Sequence, residues 1–277
     1  MLDAVPHDEA ERARRYRHLL AEERRGSGRR LAWIGGLLLF YLACVSVSGI
    51  DIPRLMEGLP RLFMWLARSW PPDLTDLDAV LRGAAETVAI ATIGTTLGAL
   101  LAVPLCLLAA RNTSPAPFLY WPARAVLNGL RSIDTFVFAL LFVAAVGLGP
   151  FSGILGVAFH VTGSIAKLWS EQIEAADPRP IEALAATGAS RLLVMRYGLL
   201  PTVLPSLASI VLYMWEFNIR SSTVLGLVGA GGIGQQLKNS VDLLDFPRLV
   251  TILAVILFMV AIADAASAQI RKRLIEE

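Results

Sequence analysis

The sequence predicts an all-α integral membrane protein with six transmembrane helices, and three observations predict it. Hydrophobic residues make up 55% of the 277-residue chain and charged residues only 17%, with a mean hydropathy of +0.60. Water does not dissolve that balance as one or two globular domains. Apolar runs recur near the roughly 20 residues that carry a helix across about 30 Å of hydrocarbon. Arginine and lysine gather in alternate connections, as the positive bias of cytoplasmic loops requires.

Residues 1–30 read as a cytoplasmic arm carrying Arg12, Arg14, Arg15, Arg17, Arg24, Arg25, Arg29 and Arg30. Opposite charges three and four apart give it a helical composition that suits anionic lipid heads, with His7 and His18 solvated. The first span is 31–50. Ser46-Val47-Ser48 has the small-x-small look of a signal cleavage site, but the charged region before it is far too long for a signal peptide. Residues 51–79 form an extracytoplasmic segment, with Asp51, Glu57, Asp73, Asp76 and Asp78 outnumbering Arg54, Arg61 and Arg68.

Residues 80–270 hold the core. Its spans run from about Val80 to Ala110, Ala125 to Val146, Phe151 to Trp169, Leu199 to Leu227 and Leu249 to Ala268. Arg111 and Arg124, then Arg179, Arg191 and Arg196, then the 271–277 tail with Arg271-Lys272-Arg273 all fall inside, which makes both termini cytoplasmic. The outer connections at 147–150 and 228–247 have only Lys238 near their middle, with Arg248 at one edge. Cys44 and Cys106 lie within spans and suggest neither a disulfide framework nor a zinc site.

The inner connection 171–198 is long for a compact membrane protein. Asp177 before Pro178 and Pro180 starts a short helix, Gly188 stops it, and Ser190 caps a second helix through Tyr197 toward Pro201. In the fifth span, Glu216, Asn218 and Arg220 stand at hydrocarbon depth, where each ionised group costs about 2.5–3.5 kcal/mol on insertion scales. Glu216 and Arg220 are four apart and share a face. Two readings follow: an ion pair that neutralises itself, or a polar path in which Arg220 offers its guanidinium to an anionic solute. Asn218 is grouped with Glu216 and Arg220 along the substrate path, although about 200° round the helix from Glu216 it points to a bond with a neighbouring helix. Arg82 with Glu86, Arg131 with Asp134, Asp264 and His160 read as interior pairs or helix contacts.

Gly229, Gly231 and Gly234 spell G-x-G-x-x-G. A dinucleotide site needs a strand before this motif and a βαβ unit around it, and neither is here. Glycine also breaks a membrane helix and lets backbones approach, so Gly226 and the run Gly229, Gly231, Gly232 and Gly234 predict a bent or re-entrant turn at the outer end of the fifth span. Its exposed amides could also receive an anion. The chain has no G-x-x-x-x-G-K-[ST] loop, no His-Glu-x-x-His, no Gly-x-Ser-x-Gly and no clustered metal ligands.

Glu182-Ala183, Gly188 six residues after the glutamate, and Leu200-Pro201 resemble the E-A-A-x3-G-x9-I-x-L-P signature of ABC importer permeases. Leu184 and Gly198 depart from it. The run from Glu216 to Gly234 resembles the phosphonate-type branch, as do Arg131-Ser132-Ile133, Gly147-Leu148-Gly149-Pro150 and the segment 158–174; Asp134 departs where proline is frequent. The resemblance covers roughly residues 80–270. It implies a type I importer permease of the bacterial inner membrane in which Glu182, Ala183, Gly188 and Pro201 form the ATPase-coupling surface. It further implies a second copy of the chain, two cytoplasmic ATPase subunits that carry ATP and Mg, and an extracytoplasmic solute-binding protein. This chain would hold no cofactor, and nothing in it points to nucleic acid. The solute would be phosphonate, phosphite or a phosphate ester. The rivals are a methionine or osmolyte permease of the same class and a proton-coupled secondary transporter using Glu216 or Asp264.

Overall fold

The computed structural model describes residues 30 and 33–276, so the arm read over 1–30 lies almost wholly outside the described residues. The chain divides into two compact units, Met1–Met64 and Trp65–Glu277.

In the first unit α1 (Trp33–Val47) ends at Gly49, whose φ of 62° turns the chain, and α2 (Ile52–Arg68) follows at a 56° bend. The sequence reading gave the segment 51–79 no element. Ile52, Leu55, Met56, Leu59, Leu62 and Phe63 recur at three- and four-residue spacing, which is the stripe of an amphipathic helix, and the Asp51 carboxylate accepts the Arg54 N–H at 3.1 Å to cap it. Such a helix suits the bilayer interface.

The second unit is built on α6 (Pro150–Glu174), which buries Val157, Val161, Ile165 and Ala166 completely. Lipid offers no hydrophobic drive between helices, so close backbone approach must supply the packing. α3 (Leu77–Ala109) achieves it through Gly94 and Gly98: a Cβ on the first would meet Val157 Cβ at 2.7 Å, and on the second Val161 Cγ1 at 2.8 Å. On another face of α6, Gly156 and Gly163 bring in α5 (Thr135–Val146) and α4 (Pro117–Ser132) at Ala139 and Leu130.

A single third span over 125–146 was expected; the structure instead breaks it into α4 and α5 at an 88° bend. Ile133 leaves the helical region at ψ 125°, and the Asp134 carboxylate caps α5 by accepting the Phe136 N–H at 2.9 Å. The Ile133 carbonyl freed by this break accepts from His160 Nδ1 at 2.8 Å, which makes His160 a helix contact.

Beyond α6, α7 (Pro178–Ala186) and α8 (Arg191–Val194) lead through a π turn (Met195–Leu199) into α9 (Leu200–Leu225). Trp169 Nε1 on α6 donates to the Leu207 carbonyl at 3.0 Å, and Trp215 Nε1 on α9 to Thr92 Oγ1 on α3 at 2.9 Å. α10 (Ile233–Asp242) and α11 (Phe246–Glu276) complete the unit, with Ile219, Ile233, Ile252 and Met259 in a second apolar cluster. Among the described residues four stretches are long and apolar enough to cross a membrane unbroken: Leu77–Ala109, Pro150–Glu174, Arg191–Val228 and Phe246–Leu274. The pairs α1–α2 and α4–α5 qualify as well only if each bent pair counts as one crossing.

Candidate functional site

Three places carry the residues singled out from the sequence. The first is the α7 connection. Asp177 accepts the Arg179 N–H at 3.0 Å and pairs with its guanidinium at 2.8 Å. These bonds, the guanidinium's first and the amide's second, hold the Asp177 carboxyl below its ordinary value and raise Arg179. Ile181 packs onto the core, while Glu182 and Ala183 are exposed. Gly188 has φ +77° with open space around it, so the turn after α7 needs a left-handed residue. Ser190 stands at the N-cap of α8, but its side chain makes no capping bond. Pro201 is in the first turn of α9 and exposed. Gly198, a departure from the signature, has a physical reason here: a Cβ at this position would already touch Ile181 Cα at 3.4 Å, so a branched side chain would push α7 away.

Both ends of this connection are tied to one polar node. Arg191 reaches the carbonyls of Thr113 and Ser114 at 3.5 and 3.4 Å, and Asn112 Nδ2 donates to the Ile173 carbonyl at 2.6 Å. Glu174 accepts the Arg111 N–H at 2.9 Å and pairs with Arg124 at 3.2 Å. Arg111 in turn donates to Tyr120 Oη at 3.0 Å, which is the main cause of its raised pKa. α7 is therefore mounted at both ends on the polar contacts around Glu174 and Arg191.

The second place is a charged seam between α9 and α11. Arg220 lies 3.6 Å from Glu216 Oε1 and 3.7 Å from Asp264 Oδ1, while Arg271 donates to Glu216 Oε2 at 3.2 Å. The closest bond of Glu216 is thus to α11, not to its neighbour four residues on. The Arg220 side chain is 58% exposed and its guanidinium meets both carboxylates at ion-pair rather than hydrogen-bond distance, while the Glu216 side chain is 16% exposed. Asn218 does not line this seam. It is fully buried and donates to Thr95 Oγ1 on α3 at 2.8 Å, where its position round the helix aims it. Eighteen residues, about 27 Å of helix, separate Asp264 from Phe246 at the start of α11. The same count separates Thr95 from Leu77 on α3, which places the Asn218 bond equally far along that helix.

The third place is the glycine turn. α9 ends at Leu225, a 3-10 turn covers Gly226–Val228, and Gly229, Gly231 and Gly232 take φ of 80°, 82° and 80°. α10 then runs back along α3: a Cβ on Gly83 would meet Ile233 Cα at 3.1 Å, and Ile233 N–H donates to Thr87 Oγ1 at 2.8 Å. Gly234 packs against Gly226 with no room for a side chain on either. No strand precedes the turn, as the dinucleotide reading would need. A cavity of about 500 Å³ opens here, lined by Arg82, Glu86, Pro150, Gly231, Gly232 and Gln236.

Sequence reasoning missed Arg271, which it placed in a cytoplasmic tail, and left Asp264 without a partner. The signal was present: residues 264 and 271 are seven apart, on one face of α11, as 216 and 220 share a face of α9. Among the described residues no group of His, Cys, Asp and Glu could hold a metal ion.

Residues 94–276 match the family of binding-protein-dependent transport system inner membrane components. The chain is 54% identical over 225 residues to HtxC of Stutzerimonas stutzeri, named for phosphite transport, covering 81% of this chain and 80% of that one. It is 38% identical over 242 residues to the phosphite transport system permease protein PtxC of the same organism, covering 87% of each. To the phosphate-import permease protein PhnE of Mycolicibacterium smegmatis it is 39% identical over 222 residues, 77% of this chain and 42% of that one. Among solved structures, the inward-facing MetNI methionine ABC transporter shares the fold, with a TM-score of 0.64 at 22% identity over 73% of this chain and 99% of that one. The chain therefore belongs to the binding-protein-dependent transport system inner membrane components, as a multi-pass, non-catalytic permease subunit of an ABC transporter.

Proposed function

We propose that this permease imports a phosphorus oxyanion by alternating access, as one half of a homodimer fed by an extracytoplasmic binding protein and driven by two cytoplasmic ATPases that carry ATP and Mg. In this reading the chain crosses the membrane six times, with α1 as the first crossing and the bent pair α4–α5 as the third, and both termini are cytoplasmic. The α7 connection faces the ATPases, with Glu182 and Ala183 as the docking face and Gly188 and Pro201 as its bends. ATPase closure moves the α7 lever, and the mount at Glu174 passes that motion to α3, α4 and α6. The glycine turn at Gly229, Gly231, Gly232 and Gly234 forms the outer end of the path.

One observation carries the choice of an anionic solute: an arginine side chain within the α9 span that stays more than half exposed although it stands between two carboxylates. A charge within a span faces a water-filled cavity or a partner, and the exposed N–H groups of a planar guanidinium fit an oxyanion. The relatives named for phosphite and phosphate support phosphorus as its centre. The test is reconstitution of the whole transporter with Glu182→Ala and Arg220→Ala. The first should uncouple ATP hydrolysis from uptake or impair assembly; the second should spare assembly and lower uptake. Normal uptake in both removes these assignments.

A further inference from the structure

We propose that an apolar groove at the inner ends of α3, α6 and α9 holds one acyl chain of an anionic phospholipid from the cytoplasmic leaflet, with the lipid's phosphate against Arg196. The inference rests on the reading above that α7 faces the cytoplasm, which fixes the leaflet.

The groove is a cavity of about 430 Å³. Its floor is Cys106 of α3, Trp169 and Ile173 of α6, and Val203 and Leu207 of α9, each no more than 9% exposed. Leu107, Leu192, Leu200 and Leu204 stand around that floor and are exposed, so the cavity opens at the surface of the protein. The polar atoms of the floor are spent internally. Trp169 Nε1 donates to the Leu207 carbonyl at 3.0 Å, and Cys106 Sγ to the Val103 carbonyl at 3.1 Å. A buried water needs about two to four polar partners, which these walls do not offer. An unfilled cavity, in turn, forfeits the contacts of every atom that lines it. Hydrocarbon fills the groove without either cost.

The length agrees. From Leu192 through the π turn to Ala208 the wall runs sixteen residues, about 24 Å of helix. One leaflet is half of a hydrocarbon core about 30 Å thick, so the groove spans one chain and leaves room for a headgroup at its inner end.

Charge identifies that headgroup. Arg196 is the one charged residue in the lining. It is exposed, meets no carboxylate among the described residues, and lies 5.6 Å from the ring of its neighbour Tyr197. Arg191, five residues earlier, reaches only the backbone carbonyls of Asn112, Thr113 and Ser114, at 3.4 to 3.5 Å. The acids of the inner connection are engaged elsewhere: Glu171 with Lys167, Glu174 with Arg124 and Asp177 with Arg179, while Glu182 pairs with neither arginine. Two guanidiniums therefore stand without a carboxylate where the cytoplasmic leaflet carries its phosphates, and basic pockets between spans on that side suit anionic headgroups. A second copy centred on this groove about a two-fold axis would bring the same arginines to it and leave both uncompensated.

The experiment is native mass spectrometry of the purified transporter complex, delipidated and then titrated with equimolar phosphatidylglycerol and phosphatidylcholine of identical chains. The wild type should retain phosphatidylglycerol with a preference of about fivefold, the worth of one basic group near an anionic headgroup. Arg196→Gln should cancel that preference and Arg196→Lys should keep it. Ala208→Phe, which places a ring in the groove, should abolish retention of either lipid. A preference that survives Arg196→Gln overturns the proposal, including the case in which that variant releases the ATPase and so assigns Arg196 to it. Retention that survives Ala208→Phe overturns it as well, including the case in which that variant separates the two permeases and so assigns the groove to the second copy. Should Ala208→Phe not assemble, the two Arg196 variants decide alone. No retention by the wild type overturns the proposal and leaves the topology standing, because detergent-purified protein has no sides; retention by a protein whose α7 is labelled from the binding-protein side overturns the assignment to the cytoplasmic leaflet.

Discussion

The contact between Glu216 and Arg271 ties α9 to α11, and its strength can be worked from the geometry. At 3.2 Å and an effective dielectric of about 20, the bare attraction is ~5 kcal/mol. Two effects reduce it. Arg271 is 32% exposed, so solvent screens it, and both groups surrender hydration to meet. Arg220 remains 3.6 Å from the same carboxylate and takes over part of the neutralisation when Arg271 is lost. Hydrogen bonds between membrane helices measured by double-mutant cycles average about 0.6 kcal/mol and reach about 1.7. A charge-assisted bond on a carboxylate only 16% exposed belongs at or slightly above the top of that range, which gives a coupling of about 1–2 kcal/mol. The assay is reversible unfolding in mixed micelles of the wild type, Glu216→Gln, Arg271→Gln and the double variant. The double variant should be less destabilised than the two singles together by that amount. Additivity within about 0.5 kcal/mol would refute the reasoning, because it would mean that Glu216 is held by Arg220 or by solvent.

Other outcomes follow from the same structure. Gly98→Ala places a Cβ 2.8 Å from Val161 Cγ1 and 2.9 Å from the Ala158 carbonyl; the second contact is backbone and cannot rotate away, so thermal unfolding should show a loss of about 1–3 kcal/mol. Gly188→Ala meets nothing within 4 Å and should lose only the left-handed penalty of about 1–2 kcal/mol, with the damage confined to α7 when hydrogen exchange is mapped. Asp177 has a lowered folded-state pKa, so its contribution is present above the reference value of 3.8 and is lost as pH falls through the lowered one. The stability gap between the wild type and Asp177→Asn, followed by denaturant unfolding, should therefore close only under strongly acid conditions.

Much of the fold was legible because the bilayer forces apolar length and loop charge onto the sequence. The α7 connection was legible for a different reason: Asp177 and Gly188 are local signals whose chemistry acts within a few residues. Ser190 shows the limit of such signals, since it occupies the cap position without making the bond. α2 was missed because alternating acids and arginines over 51–68 read as an outer loop when charges are counted, although the apolar stripe between them has helical spacing. The break between α4 and α5 was missed because hydropathy averages over Asp134, whose capping bond outweighs the surrounding apolar run. At the seam, the sequence displayed Glu216 and Arg220 as neighbours. It could not display Arg271, which is 55 residues away and arrives only because α11 folds back along α9. Gly198 looked like a defect in a motif until the contact with Ile181 supplied its reason.

The central claim is that the exposed face of α7 lies on the cytoplasmic side and is the surface through which a separate ATPase drives the path. Its most direct test is labelling of Glu182→Cys with a membrane-impermeant thiol reagent, with Cys44 and Cys106 replaced, in oriented vesicles. The expected result is labelling from the ATPase side alone, blocked when the ATPase subunits are bound. Labelling from the binding-protein side, or labelling that the bound ATPase does not alter, would contradict the claim.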